Sequence, residues 1–192
     1  MTFIGIWLLS SCNEANFDEI KEIPVPENEK QISEQTFFDR KELAYIFGYQ
    51  KGKNYVQIDV PKDVNILMLD QRTQQVDYYF FRKFNNWFEE VKFENGVLPI
   101  DQGESLDCDN FAMLYKSFMS IAQYKSGQKY EPAVGLVIVE QREAFGGVGK
   151  GSLHMLNIVF TSREWYIFEP QTGKYTELQN YPNQKYIRTI II

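Results

Sequence analysis

Three residues in this chain combine into recognisable chemistry. They are Cys108, His154 and Glu169. Cys108 stands between two aspartates in "ESLDCDNFAMLYKSF", His154 is the second residue of "LHMLNIVF", and Glu169 closes "EWYIFE". A thiol becomes a strong nucleophile as its thiolate, a form favoured by a helix N-terminus and by a neighbouring imidazolium. An imidazole can take the thiol proton and later return it, and a carboxylate on its other nitrogen fixes its tautomer and orientation. Each residue alone has a plainer reading: an inert buried thiol, a structural strand histidine, a Glu-Pro turn. The chain holds 2 Cys and 1 His, so Cys108 has one imidazole to call on. A zinc site at Cys108 lacks a Cys/His ligand set.

The elements that must position these residues read as follows. Residues 76–93 predict a helix, because Tyr79, Phe80, Phe84, Trp87, Phe88 and Val91 recur at three- and four-residue steps. Asn95-Gly96 supplies its stop. A second helix begins at or beside Cys108, with Asp107 as a capping candidate. Its apolar face is Phe111, Leu114, Tyr115, Phe118 and Ile121 or Ala122, and Ser126-Gly127 ends it. Strand patterns follow at 133–140, 153–160, 164–169 and 186–192, with a turn at Ser162-Arg163. His154 shares pleat parity with Leu156 and Ile158, and Glu169 lies one hairpin later. Upstream, 54–60 alternates as a strand and 64–69 is a short apolar run. Helices followed by a mainly antiparallel sheet make an α+β class.

"GGVGKG" at 146–151 invites a phosphate-loop reading. It fails, because Ala144 stands where the first glycine belongs and Gly151 where Ser or Thr belongs. It reads instead as a loop that could border a site.

The chain has 192 residues with 44% hydrophobic and 16% aromatic content, enough for one domain with a substantial core. Net charge is −6 and there is no long basic run, which argues against nucleic acid as a partner. The opening "MTFIGIWLLSSC" resembles a bacterial lipoprotein signal, with Leu9, two serines and then Cys12 as the lipid-attachment residue. The apolar run is far shorter than the roughly 20 residues of a transmembrane helix. No Lys or Arg precedes it, a departure from the usual signal. The expected organisation is a signal peptide over 1–11, an acidic tether over 12–35 and a folded domain over 36–192. The protein would then sit in a bacterial cell envelope, anchored by lipid outside the cytoplasmic membrane. With Cys12 acylated, Cys108 would be the remaining thiol, and an unpaired thiol outside the cytoplasm suggests a role beyond packing.

"DCDNFAMLYKSFM", "LHMLNIVF" and "WYIFEPQTG" together resemble the papain-like cysteine peptidase superfamily. They are most similar to the C-terminal peptidase domain of fungal chimeric agglutinins and related bacterial and phage proteins. The resemblance spans about 100–178. It implies a central Cys-bearing helix packed on the sheet, and Cys108, His154 and Glu169 as a catalytic triad. Gln102, six residues before Cys108, matches the offset of an oxyanion-hole glutamine, with Gln171 as another polar helper and the Cys108 backbone N–H as the general donor. Transglutaminase-like hydrolases look similar too, although their acid is usually Asp and their histidine is followed by an aromatic motif that Met155-Leu156 lacks.

The resemblance implies an acyl-transfer hydrolase, a peptidase or amidase, acting on a peptide or protein. The alternatives are a catalytically inactive surface lipoprotein serving as a binding module, or a transglutaminase-like acyltransferase. No cofactor is required. Agglutinin-type domains are similar to calcium-activated enzymes, so the resemblance makes Asp107 and Asp109 candidate calcium ligands, although a helix N-terminus already accounts for both.

Overall fold

Runs of Val, Ile and aromatic residues in the second half of the chain pair into a sheet, and two aromatic helices pack on it. The computed structural model describes residues 37–39, 64–67, 69, 72–95, 97 and 106–192. The signal 1–11, the tether 12–35, the expected strand at 54–60, Cys12 and Gln102 lie outside the described residues. The strands are β1 (Phe37–Asp39), β2 (Asn65–Leu67), β3 (Arg72–Gln74), β4 (Glu131–Pro132), β5 (Val134–Glu140), β6 (Leu153–Phe160), β7 (Trp165–Glu169), β8 (Lys174–Glu177) and β9 (Ile187–Ile191). The helices are α1 (Tyr78–Glu94) and α2 (Cys108–Lys125). The main sheet runs β2-β9-β5-β6-β7-β8 and a smaller one runs β1-β3-β4. In the main sheet only the β2–β9 pair is parallel. The class is therefore α+β with a mainly antiparallel sheet.

α1 starts because Asp77 is extended and its Oδ1 accepts from the Tyr79 and Phe80 backbone N–H groups at 3.0 and 2.9 Å. Asn95 ends it. Aromatic residues are indifferent helix formers, so packing rather than propensity sustains α1. Its buried stripe is Phe80, Phe81, Phe84, Asn85, Phe88 and Lys92. This corrects the expected stripe at one end. Tyr79 is exposed and Phe81 takes the core position. Tyr79 lies about 140° around the helix from Phe84 at 3.6 residues per turn. It serves instead as a surface acceptor for the Arg163 guanidinium at 3.0 Å.

α2 begins at Cys108 with Asp107 as its N-cap position, and the Asp107 N–H donates to Asn110 Oδ1 at 3.2 Å. Phe111, Ala112, Tyr115, Met119 and Ala122 are fully buried, whereas Leu114, Phe118 and Ile121 pack at the margin.

The sheet buries both faces. Period-two alternation sends Tyr166 and Phe168 of β7 and Val159 of β6 into an aromatic cluster with Phe81, Phe84, Phe88, Tyr115 and Met119. It sends Leu156, Ile158, Trp165 and Ile167 into an aliphatic cluster with Val137, Val139, Ile187 and Ile190. Phe168 lies 4.4 Å from Tyr115, centroid to centroid. Asn157, buried among these rings, donates to Ala112 O at 2.9 Å and to Gly135 O at 3.3 Å, tying α2 to β6 and β5.

At Gly135 the end of the chain lies close against β5. A Cβ there would sit 2.6 Å from Ile191 O and 2.6 Å from Ile192 Cγ1. Gly135→Ala is expected to destabilise the protein by about 1–3 kcal/mol, read as a lower urea midpoint with unchanged slope. A wild-type midpoint would show that β9 does not press on β5 as described.

Candidate functional site

The start of β6, the end of β7 and the first turn of α2 converge. His154 enters on β6 with the pleat parity of Leu156 and Ile158, and is 5% exposed. Glu169, the last residue of β7, is 0% exposed. His154 Nε2 and Glu169 Oε2 lie 2.5 Å apart. A carboxylate with no water around it needs hydrogen-bond partners for both oxygens. The other oxygen, Oε1, accepts the Gln171 backbone N–H at 3.0 Å. With Nε2 taken by Glu169, Nδ1 is the ring nitrogen left for a second partner.

The Cys108 thiol is the other group that acts on the imidazole's charge. It is a free, half-buried thiol at the first position of α2. Burial works against charge on His154, but hydrogen bonding and charge interaction with Cys108 and Glu169 outweigh it and raise its pKa from 6.5 to about 9. The ring therefore carries its proton at neutral pH. An imidazolium beside a cysteine sulfur at a helix N-terminus is the general arrangement of an activated thiol nucleophile.

The 146–151 loop borders the site. Gly146 has φ +62, and a Cβ there would sit 3.0 Å from Glu169 Cγ. The glycine lets the loop lie directly on the Glu169 stem. Phe145 and Val148 exchange backbone hydrogen bonds at 3.2 and 3.0 Å, and the Gln141 side chain donates to Val148 O and Gly149 O at 2.8 and 2.9 Å. Buried Asn183 clamps the base, accepting from the Arg142 and Glu143 N–H groups at 2.9 and 2.8 Å and donating to Glu143 O at 2.8 Å. Tyr181 is buried edge-on to Phe145, with ring centroids 5.0 Å apart. Burial pushes its phenol up, and the Glu169 charge adds to the effect.

The other candidates fall as follows. Gln171 contributes backbone rather than side chain: its N–H reaches Glu169, and its carbonyl accepts from Lys92. Asp107 and Asp109 flank Cys108 close enough to share a hydrogen bond, and the Asp107 carboxyl pushes Asp109 up. Among the described residues no group of three or more His, Cys, Asp or Glu side chains could hold a metal ion. Two mutually bonded carboxylates do not make a calcium sphere of six to eight oxygens.

The loop at 146–151 was expected to border a site and does so through Gly146, whereas sequence reasoning missed Tyr181, Asn183, Glu89 and Lys92. One signal was there to read: Lys92 follows Phe84 and Phe88 at four-residue steps, a charge on the apolar stripe.

The folded-state pKa of His154 is raised, so its contribution to stability is fully present below about pH 6.5 and is lost as pH rises through about 9. The urea midpoint of the wild type is expected to fall across that window more than that of Glu169→Gln. A wild-type midpoint that does not fall relative to the variant would contradict the pairing.

No family model matches the chain, and no curated protein matches it. A solved structure described as "PSL1a-E64 complex" is similar over 69% of this chain and 44% of its own, with 16% sequence identity and a TM-score of 0.49. The chain thus spans less than half the length of that protein.

Proposed function

We propose that this chain is a papain-like cysteine hydrolase that cleaves an amide bond in a peptide or protein, and that lipid on Cys12 anchors it outside a bacterial cytoplasmic membrane. The observation that carries the catalytic reading is the buried His154–Glu169 contact at 2.5 Å, with Cys108 as the second partner of the same ring. The Cys108 sulfur attacks the amide carbonyl carbon and a C–S bond forms. Charge develops on the carbonyl oxygen, for which the Cys108 backbone N–H at the start of α2 is the donor. His154 gives its proton to the leaving amine as the C–N bond breaks. The neutral imidazole then takes a proton from water, which displaces sulfur and releases the acid. Glu169 keeps the ring oriented throughout and supports its charged form.

The acyl-enzyme step is common to papain-like and transglutaminase-like enzymes; water or an amine as acceptor distinguishes their products. The folded arrangement supports the shared step and does not depend on which acceptor follows.

The test starts from thiol reactivity. Iodoacetamide near neutral pH is expected to label Cys108 quickly, and His154→Ala to slow that labelling at least about 10-fold. Hydrolysis of a fluorogenic peptide library is expected to vanish in Cys108→Ala and to drop roughly 100- to 10,000-fold in His154→Ala. Slow labelling indifferent to His154, with no cleavage of any peptide, would leave the binding-module reading in its place. For the anchor, bacterial expression with labelled palmitate is expected to mark the wild type and not Cys12→Ser; equal labelling of both would remove the anchor from the proposal.

A further inference from the structure

A buried lysine is uncommon, because an ammonium removed from water must find a full set of acceptors. Lys92 is 5% exposed on the inner face of α1. Its Nζ lies 2.5 Å from Pro170 O, 2.9 Å from Gln171 O and 2.6 Å from Glu89 Oε1. Two backbone carbonyls accept from the ammonium, and the Glu89 carboxylate pairs with its charge. Two of the three belong to the backbone that immediately follows Glu169. The same Gln171 whose carbonyl meets Lys92 gives its N–H to Glu169 Oε1.

Two further contacts tie this point to the rest of the site. Nζ lies 5.2 Å from the Phe88 ring centroid and 5.5 Å from that of Phe111, three residues after Cys108 on α2. The 170–173 turn closes hard against the lysine's partner: Gly173 has φ +74, and a Cβ there would sit 2.5 Å from Glu89 Cδ. The groups whose charges reach Glu169 are His154 from β6, Lys92 and Glu89 from α1, and Tyr181 from the segment after β8.

We propose that Lys92 is a positioning residue of this site: its buried ammonium fixes the 170–171 backbone and, through the Gln171 N–H, holds the Glu169 carboxylate against His154. This rests on the cysteine-hydrolase reading for its consequence. A flexible β7–β8 turn would let Glu169 swing away from the ring, and the ammonium prevents it by gripping both carbonyls at once.

His154 is the one histidine in the sequence, so its ring signals can be followed by NMR without ambiguity. In the wild type the titration midpoint is expected near 9. Lys92→Met keeps the apolar stem and removes the ammonium. If Lys92 positions Glu169, burial prevails at His154 and the midpoint falls by about one unit or more, with Cys108 alkylation slowing about 10-fold. A lysine acting only through its charge would give the opposite sign, because removing a nearby cation favours the imidazolium. A folded Lys92→Met with an unchanged or raised midpoint overturns the proposal.

If that variant does not fold, Lys92→Arg is read in its place. A guanidinium keeps the charge but is too broad and planar for a buried site built around a compact ammonium between two carbonyls, so a fall of about half a unit is expected and an unmoved midpoint overturns the proposal. The two readings fail differently. A wild-type midpoint at or below 6.5 removes the triad itself, whereas a raised wild-type midpoint unmoved by the lysine variants removes only Lys92.

Discussion

The contact between His154 and Glu169 constrains everything around it. Both side chains are buried, and an ionisable pair in the interior is tolerated only when its remaining lone pairs and protons are satisfied. That requirement reaches outward in steps. Glu169 needs the Gln171 N–H, and the Gln171 carbonyl lies on Lys92. Lys92 in turn needs Glu89, and Glu89 leaves room at Gly173 for no side chain. On the other side the Cys108 thiol, at the start of α2, also favours the charged form of the His154 ring. A polar network of this kind is expensive to leave half-made, which explains why its members come from α1, α2, β6 and the β7–β8 turn rather than from one loop.

Rigid surroundings make such a network usable. β7 is buried along its whole length, with Tyr166 and Phe168 on the helix side and Trp165 and Ile167 on the other. A one-residue slip of a strand packed on both faces would exchange its two apolar sets and turn Glu169 away from His154 into the aromatic cluster. Asn157 adds a directional tie between β6 and the first turns of α2, so Cys108 and His154 are referenced to one another through backbone. The glycine-rich 146–151 loop is a further support. Its base is clamped by Asn183 and Gln141, and it lies against the Glu169 stem at Gly146.

Much of this was visible in the amino-acid string because it is local. The Cys108 helix begins where Asp107 and the apolar period said it would, and β6 covers the expected 153–160. The end of β7 at Glu169 followed from the Glu-Pro step, which cannot continue a ladder. The aromatic stripe of α1 was legible in kind but not in phase. Tyr79 and Phe81 are equally apolar to a periodicity count, and only the position of the sheet decided which of them went inside.

The sequence alone determined which residues carry reactive groups, which elements they ride on and in what order, because capping, pleat parity and chain-breaking residues act over a few positions. Tertiary structure alone decided the electrostatics. That one imidazole would be held by a carboxylate on one side and a thiol on the other depends on residues far apart in the chain meeting out of water. That Lys92 would be buried on the turn after Glu169 runs against the ordinary preference of lysine for solvent. It follows only once the Pro170 and Gln171 carbonyls arrive beside α1, since the cost of burying a charge is offset by partners that no local pattern announces.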